Sequence, residues 1–198
     1  VIVSKIIELD EEKKSYKNWL LRFGTTNDAN IEKSGVFHDK TFNIHSQLKN
    51  VTVTTIARFP YDFFITSGVG NLRDIDWDYI IIDEASMIML AQILLPLYKQ
   101  RPKKFIIAGD PFQIEPVTVI DLWQKENIYT LVALNSFAEP KTIPHNYPVE
   151  TLTTQYRSVP AIGKIFSELA YKGILNHARK DSDQRSLKID NWFDVKTL

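Results

Sequence analysis

Two short, uninterrupted apolar runs constrain this chain most. Tyr79 to Ile82 stops at Asp83-Glu84, and Phe105 to Ala108 stops at Gly109-Asp110. A run of four apolar residues bounded by polar turns fits a strand buried on both faces, as in a parallel sheet. Parallel neighbours need a crossover, and the residues between the runs supply one. Ser86 is placed to cap a helix in which Met87, Leu90, Ala91, Leu94 and Tyr98 share one face, with Pro96 kinking or ending it. The order strand, helix, strand is a parallel crossover unit. In open α/β sheets, ligands sit beyond the carboxyl ends of the strands, which is where both acidic stops fall.

The rest of the chain is read around that unit. Ser4 to Phe23 is expected to be a charged helix, Gly24 to Gly35 a loop, and Val51 to Ile56 a β-branched strand. Glu139 to Glu150 holds three prolines and is the best linker. Beyond it, Ser158 is expected to cap a helix with Pro160 in its first turn, an inner stripe of Ile162, Ile165, Phe166 and Leu169, and a stop at Gly173. The tail from His177 to Arg185 reads as polar and exposed.

Composition narrows the function classes. The 198 residues balance 24 Lys and Arg against 24 Asp and Glu, so nucleic-acid contact must come from a local patch rather than net charge. With no cysteine, disulfides, thiolate zinc sites and a cysteine nucleophile are excluded, which suits a cytoplasmic, reducing setting. The longest apolar stretch, Met87 to Tyr98, is too short for a membrane span. The four histidines show no metal-ligand spacing.

Three segments carry side chains suited to chemistry. Asp83 and Glu84 form an adjacent carboxylate pair at a strand end. One can hold Mg²⁺ while the other orients or deprotonates water; equally, the two and Ser86 can simply satisfy a helix N-terminus. In Gly109-Asp110-Pro111-Phe112-Gln113, the glycine allows close backbone approach and Gln113 offers a neutral amide to a phosphate or its water; an ordinary proline-rich turn explains the same residues. In Gln155-Tyr156-Arg157-Ser158, Arg157 can bind phosphate and Tyr156 can stack on a base, or Arg157 can be plain solvated surface.

Taken together, the three segments have a family likeness. Asp-Tyr-Ile-Ile-Ile-Asp-Glu-Ala-Ser-Met (78–87) resembles helicase motif II. Phe-Ile-Ile-Ala-Gly-Asp-Pro-Phe-Gln-Ile-Glu-Pro-Val (105–117) resembles motif III, and Leu-Thr-Thr-Gln-Tyr-Arg-Ser (152–158) resembles motif IV. Order and spacing resemble superfamily 1 helicases of the Upf-like, 5′-to-3′ branch over about residues 20 to 176. Val51 to Ala57 and Leu21-Arg22-Phe23-Gly24 add weaker matches.

The resemblance implies an α/β, RecA-like P-loop NTPase core with a parallel sheet. That core is expected to be incomplete, because no Gly-x-x-x-x-Gly-Lys-Ser/Thr phosphate loop occurs in the sequence. Residues 1–138 would be the remainder of a first motor domain, 139–150 a linker and 151–198 the opening of a second. ATP and Mg²⁺ would be the cofactors. Asp83 would serve the metal, and Glu84, Gln113 and Arg157 would be catalytic. Gly109, Asp110, Gln113, Tyr156 and Arg157 would bind nucleotide.

Thr54, Thr55, Arg58, Pro116 and Val117 are the candidates for nucleic-acid contact. The aromatics Phe59, Tyr61, Phe63 and Phe64 read as core. The implied partners are single-stranded nucleic acid, DNA in preference to RNA, and the remainder of the helicase chain, with no membrane. Ile114-Glu115 and Ser158 depart from the family pattern without touching these roles. The implied function is a fragment of an ATP-dependent helicase that couples hydrolysis to strand movement and is inactive alone. The alternative is a degenerate homologue that binds nucleic acid or protein as a scaffold.

Overall fold

The computed structural model describes residues 2–38, 49–58, 72, 75–124, 126–134 and 148–180. The chain divides into two compact units, Val1–Leu131 and Val132–Leu198.

The first unit opens with α1 (Ile2–Leu9) and a short α2 (Tyr16–Trp19), then β1 (Leu20–Phe23), α3 (Ala29–Lys33), β2 (Phe37–His38) and β3 (Val51–Val53). β1 is the middle strand of a parallel sheet, with Arg22 opposite Phe37 and Leu20 opposite Val51. Its alternation splits two clusters. Leu20 joins Val3, Tyr16, Ile31 and Val36, whereas Leu21 and Phe23 join Leu72 and Ile75.

The expected helix over Ser4 to Phe23 is therefore corrected. It breaks after Leu9 because the Asp10 carboxylate takes the Ser15 hydroxyl at 2.6 Å and the Tyr16 amide at 3.0 Å. Lys14 then adopts a left-handed φ of 51°. Leu20 to Phe23 extends because strands on both sides complete its backbone hydrogen bonds. The expected loop over 24–35 also holds α3, whose N-terminus is capped by Asp28 through Asn30 and Ile31 amides. β3 ends at Val53, short of the expected Ile56.

β4 (Tyr79–Ile82) and β5 (Lys104–Ile107) form a parallel pair in the register Tyr79–Lys104 to Ile82–Ile107, joined through α4 (Leu90–Gln100). Burial on both faces does not hold. Ile80 and Ile82 are buried, but Ile81 is 67% exposed and Phe105 53%. Among the described residues this is a two-stranded sheet, so no third strand extends it.

Ser86 sits in a separate 3₁₀ turn, Ala85–Met87, and α4 starts after Met89 without a side-chain cap. Pro96 lies inside α4 and is buried with Ile93, while Leu94 and Tyr98, from the apolar face read in the sequence, are exposed. The apolar period marked a stripe, but the opposite one packs. A 3₁₀ turn (Asp121–Trp123) and α5 (Ile128–Leu131) complete the unit.

In the second unit, β6 (Thr154–Gln155) and β7 (Asn176–His177) pair in parallel around α6 (Pro160–Ala170). Residues 139–147 of the expected linker and 181–185 of the expected tail lie outside the described residues. Pro160 opens α6 as expected, but the cap residue is Val159, not Ser158. The inner face is Gly163 and Ser167, while Ile162, Ile165 and Leu169 are exposed. Gly163 explains the choice, because the missing side chain leaves room for His177 and Gln155 against the helix. Gly173, at φ 75°, ends α6 and donates its amide to the Ser167 carbonyl at 2.9 Å.

Candidate functional site

The β4–β5 ladder runs one step beyond the strands and locks two turns together. The Ala108 amide donates to the Ile82 carbonyl at 2.8 Å, and the Ala85 amide donates to the Ala108 carbonyl at 3.0 Å. Asp83-Glu84 and Gly109-Asp110 thus leave the same end of the sheet side by side. The turn after β4 is tight. Glu84 has a left-handed φ of 52°, and its amide donates to Asp83 Oδ1 at 3.0 Å. Both carboxylates remain exposed.

The turn after β5 is organised by Asp110. Its carboxylate accepts the Phe112 amide and Gln113 Nε2, each at 3.0 Å, and its carbonyl accepts the Gln113 amide at 3.1 Å. Gly109 has no space for a side chain, because a Cβ there would lie 2.8 Å from the Ala85 nitrogen and 2.9 Å from the Tyr129 hydroxyl.

Tyr129 is a member of this site that the sequence did not reveal. Asn127 places it by accepting the Tyr129 and Thr130 amides on Oδ1 and donating Nδ2 to the Ser86 carbonyl at 3.4 Å, so α5 is tied to the turn after β4. The Asn127-Ile-Tyr-Thr pattern was readable as a helix cap. Nothing local indicated that its tyrosine returns to residues 83–110. The Tyr129 side chain is buried and its hydroxyl has no partner among the described residues. Burial, followed by the charges of Asp110, Asp83 and Glu84, pushes its phenol up to about 12.

Asp83 also lines a cavity of about 240 Å³ with Arg22, Ile31, Val53 and Thr54. Arg22 donates to the Phe23, Val53 and Thr25 carbonyls, and burial lowers the pKa of its guanidinium. Thr54 shares the cavity, and its buried hydroxyl has no partner among the described residues. The other nucleic-acid candidates are dispersed. Thr55 and Val117 are exposed, Pro116 is buried, and Arg58 stacks 5.0 Å above the Phe23 ring. Phe59, Tyr61, Phe63 and Phe64 lie outside the described residues.

In the second unit, Tyr156 and Arg157 are exposed at a turn held by Gln155. Gln155 Oε1 accepts the Ser158 amide, while Nε2 contacts the Ser158 carbonyl and His177 Nδ1, all at 2.8 Å. Arg179 donates to the Arg157 carbonyl at 3.0 Å.

No group of three or more His, Cys, Asp or Glu side chains poised for a metal occurs among the described residues. That donor set does not suit a protein-only cage. It does suit Mg²⁺, which is commonly held by one or two carboxylates together with ligand phosphates and water. Asp83 and Glu84, exposed at a strand tip beside an orphaned buried hydroxyl, fit that mode. No described helix is long and apolar enough to cross a membrane.

Comparison with known proteins covers the turns after β4 and β5. Residues 64–120 match the AAA domain family. The fission-yeast (Schizosaccharomyces pombe) DNA replication ATP-dependent helicase/nuclease dna2 is 37% identical over 112 residues, 56% of this chain and 7% of the relative. The Arabidopsis thaliana probable helicase MAGATAMA 3 is 34% identical over 120 residues, 61% of this chain and 13% of the relative. The mouse (Mus musculus) 5'-3' DNA helicase ZGRF1 is 30% identical over 104 residues, 52% of this chain and 5% of the relative. The matched region is thus a small part of each of these proteins. With its parallel α/β core and these segments in order, the chain is similar to a segment of superfamily 1 helicases.

Proposed function

We propose that the protein carrying this segment is an ATP-dependent helicase or translocase that moves along single-stranded or duplex nucleic acid. The observation that carries this reading is the Ala85–Ala108 bond, which sets Asp83, Glu84, Asp110 and Gln113 around one end of the β4–β5 pair. ATP and Mg²⁺ are the cofactors of the proposal, with Mg²⁺ supplying charge neutralisation at the phosphates. Asp83 holds the metal and Glu84 takes the proton of the attacking water. Gly109 and Asp110 shape the phosphate side, and Gln113 contacts the terminal phosphate. Tyr156 stacks on the adenine and Arg157 acts as an arginine finger. Positioning and charge stabilisation supply most phosphoryl-transfer catalysis, so this residue set is sufficient in kind.

Residues 1–138 are assigned to a first motor domain, 139–150 to a linker and 151–198 to the start of a second. Thr54, Thr55, Arg58, Pro116 and Val117 are assigned to the nucleic-acid track. DNA is preferred over RNA, because two of the relatives above carry DNA in their names. An intracellular location follows from that substrate and from the absence of cysteine. A noncatalytic scaffold is disfavoured, since it has no need for two exposed carboxylates side by side at a strand tip.

The test is ATP hydrolysis by the full-length protein with and without single-stranded DNA or RNA. Stimulation that Glu84→Gln reduces by 100-fold or more is expected. Equal rates for the two proteins would remove Glu84 from its role and the motor reading with it.

A further inference from the structure

We propose that His177 is a positioning residue for Arg157: its Nδ1 holds the Gln155 amide, and that amide holds the turn on which Tyr156 and Arg157 are presented. This rests on the arginine-finger reading above and extends it to a residue outside the three segments that carry the likeness.

The turn is held in place although nothing covers it. Tyr156 is 74% exposed and Arg157 is exposed beside it, so burial contributes little to their placement. Hydrogen bonds to the backbone do the placing. Gln155 closes the turn by taking the Ser158 amide on Oε1 and giving Nε2 to the Ser158 carbonyl, both at 2.8 Å. The chain at β7 braces the turn twice more. The Ala178 amide donates to the Gln155 carbonyl and Arg179 donates to the Arg157 carbonyl, each at 3.0 Å.

One assignment of donors and acceptors satisfies these contacts. The Ser158 amide can only donate and its carbonyl can only accept, so the Gln155 side chain has one workable orientation. Its nitrogen carries the donors, and His177 Nδ1, 2.8 Å away, must accept. The ring proton therefore sits on the other imidazole nitrogen. His177 lies opposite Gln155 in the β6–β7 register, and Gly163 gives the ring its seat, since a Cβ there would collide with Nδ1. Without that acceptor, one Gln155 donor turns to water and competes with the bond to Ser158. A displacement of about 1 Å costs up to ~100-fold where catalysis depends on positioning.

The test is a double-mutant cycle in single-strand-stimulated ATP hydrolysis by the full-length protein. His177→Ala should lower kcat about 10-fold. The same change in an Arg157→Ala background should cost less than about twofold, because the group it positions is already gone. His177→Asn should recover most of the loss, since its Oδ1 hangs from Cγ as Nδ1 does and accepts from Gln155. A merely structural histidine would give a loss that multiplies with that of Arg157→Ala and that asparagine does not repair. Either of those results would overturn the proposal. So would a His177→Ala kcat within about twofold of the parent in a protein that Arg157→Ala inactivates. If Arg157→Ala is as active as the parent, the arginine-finger reading fails first, and the role of His177 falls with it.

Discussion

The Ala85 amide donates to the Ala108 carbonyl at 3.0 Å, joining residues that are 23 positions apart in sequence. This single bond makes one site of two turns. Each turn alone is ordinary chemistry: a left-handed Glu84 stabilised through Asp83, and an aspartate-closed bend at Asp110. Held together, they gather acidic and amide groups at the carboxyl end of a parallel pair, where α/β folds bind ligands.

Gly109 is the tightest point of that junction. At φ 150°, its hydrogen occupies space in which a Cβ would press on the Ala85 nitrogen and the Tyr129 hydroxyl. Gly109→Ala should destabilise the protein by about 1–3 kcal/mol, through overpacking and backbone strain. The urea midpoint measures this, and an unchanged midpoint would show that the two turns are looser than described.

Gly163 gives a reversal of the usual rule. Replacing a mid-helix glycine by alanine normally gains about 1 kcal/mol. Here the new methyl would collide with the His177 imidazole and crowd Gln155 Nε2, the groups that hold the Tyr156–Arg157 turn. Gly163→Ala should therefore lower Tm, and His177→Ala in the same chain should recover most of the loss. A Tm raised by Gly163→Ala alone would contradict the packing of α6 on β6 and β7.

Asp28 carries a pH signature. The Ser4 hydroxyl, bonded at 2.9 Å, and the amides it caps hold its carboxyl below the ordinary value of 3.8. A lowered folded pKa gives stability that is present above the unfolded value and lost as pH falls through the folded one. Parent and Asp28→Ala should therefore differ in Tm at pH 6 and converge as pH drops below 3.8. A Tm gap that stays constant with pH would exclude the charged cap.

The strand tips were legible because an apolar run with an acidic stop is a local pattern, and Tyr79 to Ile82 forms its strand at the expected residues. β1 was hidden because Leu20 to Phe23 continues a helical-looking stretch. Only Phe37 and Val51, distant in sequence, make it a strand. The buried faces of α4 and α6 were missed for a related reason. Periodicity ranks apolar residues, whereas the packed faces are set by what approaches them: Ile93 and Pro96 in one helix, and the small Gly163 and Ser167 in the other. Tyr129 was invisible because its place against Gly109 depends on where α5 returns, which no local pattern encodes.

The most direct test of the convergence of motifs II and III on one triphosphate is hydrogen–deuterium exchange of the full-length protein, with and without Mg²⁺ and a nonhydrolysable ATP analogue. Peptides spanning 78–90 and 105–117 should both gain protection over the same nucleotide concentrations, and Asp83→Asn should weaken both together. Protection of one peptide with the other unchanged, or of neither while nucleotide is bound, would contradict the account.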